Sequence, residues 1–349
     1  MDYRAHMSGI TFKPKAVSKK LLSNLNPRTR EIVVNRYGLE NAERMTLEAI
    51  GKTYDITRER VRQIENFALA SIKKSPEFKE HEFVFDELKT ILRSLGAVVP
   101  EETLMRHISK DPIVQNHINL YLVLGEGFNK HKEDENFNHH WSIDEKTTTH
   151  VQDSLKRLHA SVGEDELIKE AEMVERFMSH LDELLEEYKS NKDIIFRYLS
   201  LSKTVGKNQL NEWGRTTSPH VRARGIKDYA YLIMRRENRP MHFKEVATEI
   251  NNTFNKRAHI ATCHNELIKD SRFVLVGRGM YGLKEWGHTG GVVRDVITSV
   301  LKEAKQPLSK EDIIKGVLAR RMVKPNTILV NLQNNKHFKK DKEGKYYAL

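Results

Sequence analysis

The stretch Thr46-Leu-Glu-Ala-Ile-Gly-Lys-Thr-Tyr-Asp-Ile-Thr-Arg-Glu-Arg-Val-Arg-Gln-Ile-Glu-Asn-Phe-Ala-Leu-Ala-Ser-Ile-Lys-Lys74 reads as two helices joined by a tight turn. Leu47, Ile50 and Tyr54 mark a short amphipathic helix, and Tyr54-Asp55-Ile56 turns the chain. Thr57 is placed to cap a second helix, with Glu59 and Arg60 in its first turn. Val61, Ile64, Ala68, Leu69 and Ile72 then recur at spacings of three and four, which gives that helix one buried face. Its other face presents Arg58, Glu59, Arg62 and Gln63 together. These guanidinium and amide groups suit paired hydrogen bonds to base edges, and the carboxylate suits a cytosine amine. Standing alone, a helix rich in Arg and Glu reads as a solvated face laced with ion pairs. Preceded by a helix and a turn, it reads as the recognition helix of a helix-turn-helix.

Asn26-Pro-Arg-Thr-Arg-Glu-Ile-Val-Val-Asn-Arg-Tyr-Gly-Leu39, followed by Thr46-Leu-Glu-Ala-Ile-Gly51 and Thr57-Arg-Glu-Arg-Val-Arg-Gln-Ile-Glu65, resembles region 4 of bacterial primary sigma factors. The likeness covers residues 24–75. It implies a domain that recognises the minus-35 promoter element and grips the flap of the RNA polymerase β subunit. Arg58, Glu59, Arg62 and Gln63 would then supply base and phosphate contacts, with Arg60 near the backbone and Thr57 at the helix start. Nothing in the sequence resembles the aromatic, basic helix with which sigma region 2 melts DNA, so a complete sigma factor is not expected.

Composition agrees with a protein that meets nucleic acid. The 349 residues carry a net charge of +11, and 38% are hydrophobic, enough for several small cores. The charge is unevenly placed: +7 over 1–75, −6 over 76–150, −3 over 151–215 and +13 over 216–349. Basic ends suit the condensed charge of a phosphate backbone, and an acidic centre suits a protein contact or a segment held off DNA. No apolar run is long enough to span a membrane, and the N-terminus has no secretory apolar core, so a cytoplasmic, nucleoid-associated protein is expected. Cys263 is the single cysteine. No internal disulfide is possible, and its place among Ile260, Leu267 and Ile268 makes it a small core residue, not a nucleophile.

Beyond residue 75 a longer pattern repeats: amphipathic helices, then a strand, a turn and a second strand ending on an aromatic residue. The ends fall at Trp141, Trp213, Trp286 and Tyr347, at intervals of 72, 73 and 61 residues. This points to tandem winged-helix modules, spanning 83–144, 147–215, 225–287 and 291–349, after a basic N-terminal tail at 1–23 and the helix-turn-helix at 24–75. The fold class expected is mainly α with small β-wings.

In the first module Phe85, Leu88, Ile91, Leu92 and Leu95 form the opening helix. Leu155 and Leu158 do so in the second, and Leu181–Tyr188 is expected to continue as a long acidic helix. The third is clearest. Tyr229, Leu232 and Ile233 face inward from its first helix, Phe243, Val246, Ala247 and Ile250 line the second, and the third runs near 258–269. Phe273-Val-Leu-Val276, Gly277-Arg-Gly279 and Tyr281-Gly-Leu-Lys-Glu-Trp286 read as strand, turn and strand. Arg239-Pro-Met-His-Phe-Lys-Glu-Val-Ala247 and Thr262-Cys-His-Asn-Glu-Leu-Ile-Lys-Asp-Ser-Arg-Phe-Val-Leu-Val-Gly-Arg-Gly-Met-Tyr-Gly-Leu283 resemble a HARE-HTH domain, the winged helix of RNA polymerase delta subunits and of some restriction-associated and chromatin proteins. Arg278 at the wing tip joins the DNA-contact candidates, and Arg320-Arg321 is expected beside the third helix of the last module.

Gly277-Arg-Gly-Met-Tyr-Gly282 lies between strands and not before a helix, so it reads as a hairpin turn and not a phosphate loop. His131, His139 and His140, near Asp134 and Glu135, read as exposed wing residues without a metal. No cofactor and no catalytic arrangement are expected. The sequence therefore points to a DNA-binding transcription factor that acts with RNA polymerase core, its partners being double-stranded DNA and the flap, and no membrane. The alternatives are a DNA-binding component of a restriction or defence system and a protein adaptor on the flap.

Overall fold

The computed structural model describes residues 10–181, 186–288, 291–321, 323–334 and 336–349. The chain is mostly helical with small antiparallel sheets, and it divides into two compact units, Met1–Gly206 and Lys207–Leu349.

Unit 1 opens with α1 (Pro14–Leu21), α2 (Pro27–Tyr37), α3 (Leu47–Tyr54) and α4 (Arg58–Lys73). Side chains cap three of these. Asn26 Oδ1 accepts from Thr29 N at 2.9 Å, Thr46 Oγ1 from Ala49 N at 3.1 Å and Thr57 Oγ1 from Arg60 N at 3.1 Å. Each satisfies one of the amides that a helix start leaves without a partner. Then come α5 (Pro76–Glu80), α6 (Glu82–Ser94), β1 (Val98–Pro100), α7 (Glu101–Ile108), α8 (Pro112–Leu124), β2 (Asn129–His131) and β3 (His140–Ser142). The strands form an antiparallel sheet in the order β1-β3-β2, with Trp141 opposite both Val99 and Lys130.

Residues from α1, α2, α4, α6 and α8 share one apolar core, which runs from Phe12 to Trp141. The expected tail at 1–23 is therefore corrected from residue 10 onward, its first nine residues lying outside the described ones. Val17, Leu21 and Leu22 are buried in that core, while Lys19 and Lys20 on the outer face of α1 give the segment its basic composition. Ser18 Oγ lies 2.7 Å from His117 Nδ1 and 2.8 Å from the Tyr121 hydroxyl, and that hydroxyl donates to Pro14 O at 2.5 Å.

Unit 1 continues through α9 (Glu145–Ser161), β4 (Ile168–Lys169), α10 (Glu170–His180), α11 (Glu186–Lys189), α12 (Lys192–Leu201) and into β5 (Val205–Lys207). The long acidic helix expected over Leu181–Tyr188 is replaced by a break: α10 ends at His180 and Leu181 is extended, while 182–185 lie outside the described residues. Helix α12 packs on the preceding elements. The Tyr198 hydroxyl donates to Gly96 O at 2.5 Å, and Arg197 Nη1 to Leu95 O at 3.2 Å. Gly96 has φ +104, and a Cβ there would lie 2.6 Å from Ile194 Cγ2, so the close approach requires glycine.

Unit 2 contains β6 (Glu212–Arg215), α13 (Ile226–Glu237), β7 (Met241–His242), α14 (Phe243–Phe254), α15 (Ile260–Lys269), β8 (Phe273–Gly277) and β9 (Met280–Leu283). Here β7-β9-β8 form the sheet. Then follow α16 (Val293–Ala304), α17 (Lys310–Leu318), α18 (Pro325–Leu332), β10 (Phe338–Lys340) and β11 (Tyr346–Ala348), closed around a core from Val296 to Tyr346. Gly277–Gly282 is a strand hairpin, with Gly279 at φ +71 in its turn. Cys263 is buried, and burial pushes its thiol up to about 12, which leaves it protonated and inert at neutral pH.

Candidate nucleic-acid interface

The geometry of the helix-turn-helix follows from one small residue. Gly51 lies inside α3, and a Cβ there would fall 2.6 Å from Ile56 O. Backbone meets backbone at this point, with Ile56 N donating to Gly51 O at 2.9 Å and Asp55 left-handed at φ 51. Ile32, Ile50 and Val61 fill the space between α2, α3 and α4, with Leu47, Ile56 and Ile64 at its edge. Arg36 Nε holds Glu65 Oε2 at 3.3 Å and its Nη1 donates to Met45 O, which ties α4 to α2 and to the loop before α3. At the other end Arg28 lies over the Tyr54 ring at 5.6 Å.

On this frame Thr57, Arg58, Glu59, Arg60, Arg62 and Gln63 are all exposed. Two intrahelical pairs order them. Arg62 donates to Glu59 through Nε at 2.9 Å and Nη2 at 2.6 Å, and Arg60 Nη1 donates to Gln63 Oε1 at 3.1 Å. The Arg62 bond holds the Glu59 carboxyl below the usual carboxylate range, and Glu59 raises the guanidinium in turn. Both side chains remain more than half open to solvent, at 54% and 57% exposure, so a base edge can compete for either. Arg58 has no ion-pair partner among the described residues.

Arg58, Glu59 and Arg62 border a shallow hollow of about 550 Å³ together with Arg36, Thr46, Leu47 and Glu48. Thr57 and Arg58 border a second, of about 450 Å³, with Glu48, Gly51, Lys52, Asp55 and Ile56. Arg60 and Gln63 line neither. Sequence reasoning missed Arg36 and the start of α3; the Thr46 cap, spaced from Ala49 as Thr57 is from Arg60, was the available signal. Arg278 belongs to the other unit, exposed on the turn between β8 and β9. That turn rests on an aromatic stack in which Phe243 lies 4.4 Å from His242 and 4.2 Å from His264.

The histidines near residue 140 differ from expectation. His140 is buried on β3, not exposed, because Trp141 and Ser142 carry the strand into the core. Its ring stacks on His131 at 4.6 Å, and its Nδ1 lies 2.7 Å from Asn138 O. Among the described residues no group of three or more His, Cys, Asp or Glu is placed to hold a metal, and no helix is long and apolar enough to cross a membrane. Arg320 and Arg321 follow α17 and do not flank α18. Arg320 pairs with Glu303 at 2.7 Å and Arg321 donates to Gly291 O, so both cations are engaged.

The family model of sigma-70, region 4, covers this helix-turn-helix. Residues 21–74 match it. A second family model, HARE-HTH, a restriction endonuclease HTH domain, matches residues 224–286. Over 54 residues the chain is 46% identical to the RNA polymerase principal sigma factor HrdD of Streptomyces coelicolor, covering 16% of each protein. It is 46% identical over 55 residues to the sigma factor SigA of a Nostoc species, or 16% of this chain and 14% of that protein. It is 47% identical over 55 residues to the sigma factor RpoS of Coxiella burnetii, 16% of each. The chain thus spans about a sixth of the length of the curated relatives it matches. Both matched families are helix-turn-helix domains of the DNA-binding, non-enzymatic kind.

Proposed function

We propose that the chain is a DNA-binding transcription factor acting with bacterial RNA polymerase. In this reading the sigma region 4 domain recognises a minus-35 type element and engages the β flap. Arg58, Glu59, Arg62 and Gln63 read bases from the major groove, Thr57 and Arg60 lie against the backbone, and Arg278 adds a contact from the second helix-turn-helix family domain. The observation that carries it is the open, pre-ordered face of α4, where a bidentate Arg–Glu pair and an Arg–Gln pair stand beside an unpaired arginine.

Reading a closed duplex leaves its base pairs intact, whereas opening needs residues that capture unpaired bases by stacking. The 349 residues supply no such segment, so the protein modulates initiation by a full sigma factor and does not start transcription itself. Its place is the cytoplasm, on the nucleoid. The test combines core polymerase with the protein, with and without a primary sigma factor, on linear promoter DNA. Expected are co-purification with core, no transcript from the protein alone and an altered yield with sigma present. Robust initiation by the protein alone contradicts the accessory role.

A second reading, a DNA-binding component of a restriction system, draws on the match at residues 224–286. It predicts duplex binding with no retention of polymerase.

A further inference from the structure

The four segments that follow the helix-turn-helix do not present their third helices alike. Helix α8 contains no Lys or Arg, and along it only Pro112 is exposed. Helix α12 is closed against Gly96 and Leu95, with its one arginine spent on Leu95 O. Neither is open to a DNA groove. Helix α15 is open, but its exposed side carries Ile260, Thr262, Asn265 and Ile268, with no cation before Lys269.

Helix α18 and the hairpin after it are different. Residues 324–345 contain six lysines and two carboxylates. Both carboxylates are occupied: Asp341 Oδ1 accepts from Glu343 N at 2.9 Å and Lys345 N at 2.8 Å to shape the turn, and Glu343 pairs with Lys345 at 3.1 Å. Lys340 lies over the Tyr346 ring at 4.9 Å. That leaves Lys324 at the start of α18, Lys336 before the hairpin, and Lys339 and Lys342 within it. All four are exposed and without a carboxylate partner among the described residues. Lys339 faces outward from its strand, opposite the exposed Tyr347. The positive end of the α18 dipole lies beside Lys324.

We propose that Lys324, Lys336, Lys339 and Lys342 form a second, sequence-independent contact to the phosphate backbone of duplex DNA. Lysine is a flexible point charge that suits phosphate, and it is depleted from the cores of protein interfaces. Four free lysines with no arginine among them therefore favour a phosphate backbone over a folded protein partner. The inference rests on the DNA-binding reading of the chain but not on base recognition by α4.

The test uses the full chain with Lys324, Lys336, Lys339 and Lys342 all changed to Gln, measured on a preferred and a scrambled duplex across a salt series. Each lysine engaged with a phosphate contributes roughly 0.9 to the slope of log K against log salt, so the slope should become shallower by roughly 3 to 4. Affinity should fall by the same factor on both duplexes, with the melting temperature unchanged because all four side chains are exposed. An unchanged slope overturns the proposal, and an unchanged slope with weakened retention of polymerase transfers the patch to a protein contact. Arg62→Ala in the same series separates the two sites, since it lowers discrimination between duplexes whatever the lysines do. Absence of any duplex affinity in the unaltered chain overturns both readings.

Discussion

The side-chain oxygen of Asn116 on α8 accepts a hydrogen bond from Arg44 Nε at 2.6 Å, across 72 residues of sequence. Its amide nitrogen donates to Gly38 O at 2.9 Å and to Ala42 O at 2.8 Å. One buried amide thus holds the loop between α2 and α3 on the helices that follow it. The sigma-like domain is therefore built into unit 1 and shares its core.

This relationship sets the first prediction. Asn116→Ala leaves two carbonyls and a guanidinium short of a partner, which should destabilise the region by about 2–3 kcal/mol. Hydrogen exchange in the full chain should quicken together in α2, α3 and α8. Quickening confined to α8 would show that the helix-turn-helix stands independently of it.

Gly51 provides a second. With Ile56 O placed 2.6 Å from any Cβ, Gly51→Ala must push α3 away from the turn. A cost of about 1–3 kcal/mol is expected, with loss of specific duplex binding because α4 is re-aimed. Retained specificity with full stability would mean that the turn has slack the geometry does not indicate.

A third concerns Glu59. Its carboxylate partly neutralises Arg62 in the free protein. Glu59→Gln should therefore raise affinity for scrambled DNA and steepen its salt dependence, while discrimination between sequences falls. A uniform drop in affinity on every duplex would assign Glu59 a structural duty instead.

How much of this was legible in sequence depended on range. Thr57, the Val61–Ile72 spacing and the exposed Arg58–Gln63 face are local features, and they foretell α4 well because cap and period act within one helix. The hairpin at Gly277–Gly282 was readable for the same reason. Strands β1 and β7, only three and two residues long, carry too little alternation to announce themselves. Asn116 looks like a stray polar residue in an apolar helix, because its partners Gly38, Ala42 and Arg44 are distant in sequence. The same holds for Glu65, whose partner Arg36 lies 29 residues away. His140 was misjudged as exposed, since its polar neighbours Asn138 and His139 conceal the start of a buried strand.

His140 yields the fourth prediction, on pH. Burial, with the stacked His131 adding to it, holds its imidazole below the ordinary 6.5 and outweighs the Asn138 carbonyl, Asp134 and Glu145. Burial, with Lys15 nearby, acts likewise on His117. The folded chain thus binds fewer protons than the unfolded one just below that value. Stability is complete above 6.5 and is lost as pH falls beneath it. The melting temperature should drop between pH 7 and pH 5, and His140→Gln should narrow that drop. Identical pH profiles for the two proteins would remove His140 from the account.

The central claim is that α4 reads bases through a face led by Arg62. Its most direct test selects a preferred duplex from a random pool with the unaltered protein, then measures Arg62→Ala on that duplex and on a scrambled one. The account predicts a loss on the order of 1–3 kcal/mol on the preferred duplex and a much smaller one on the scrambled duplex, with relaxed choice at the base pairs Arg62 meets. Equal losses on both duplexes would contradict base reading by Arg62.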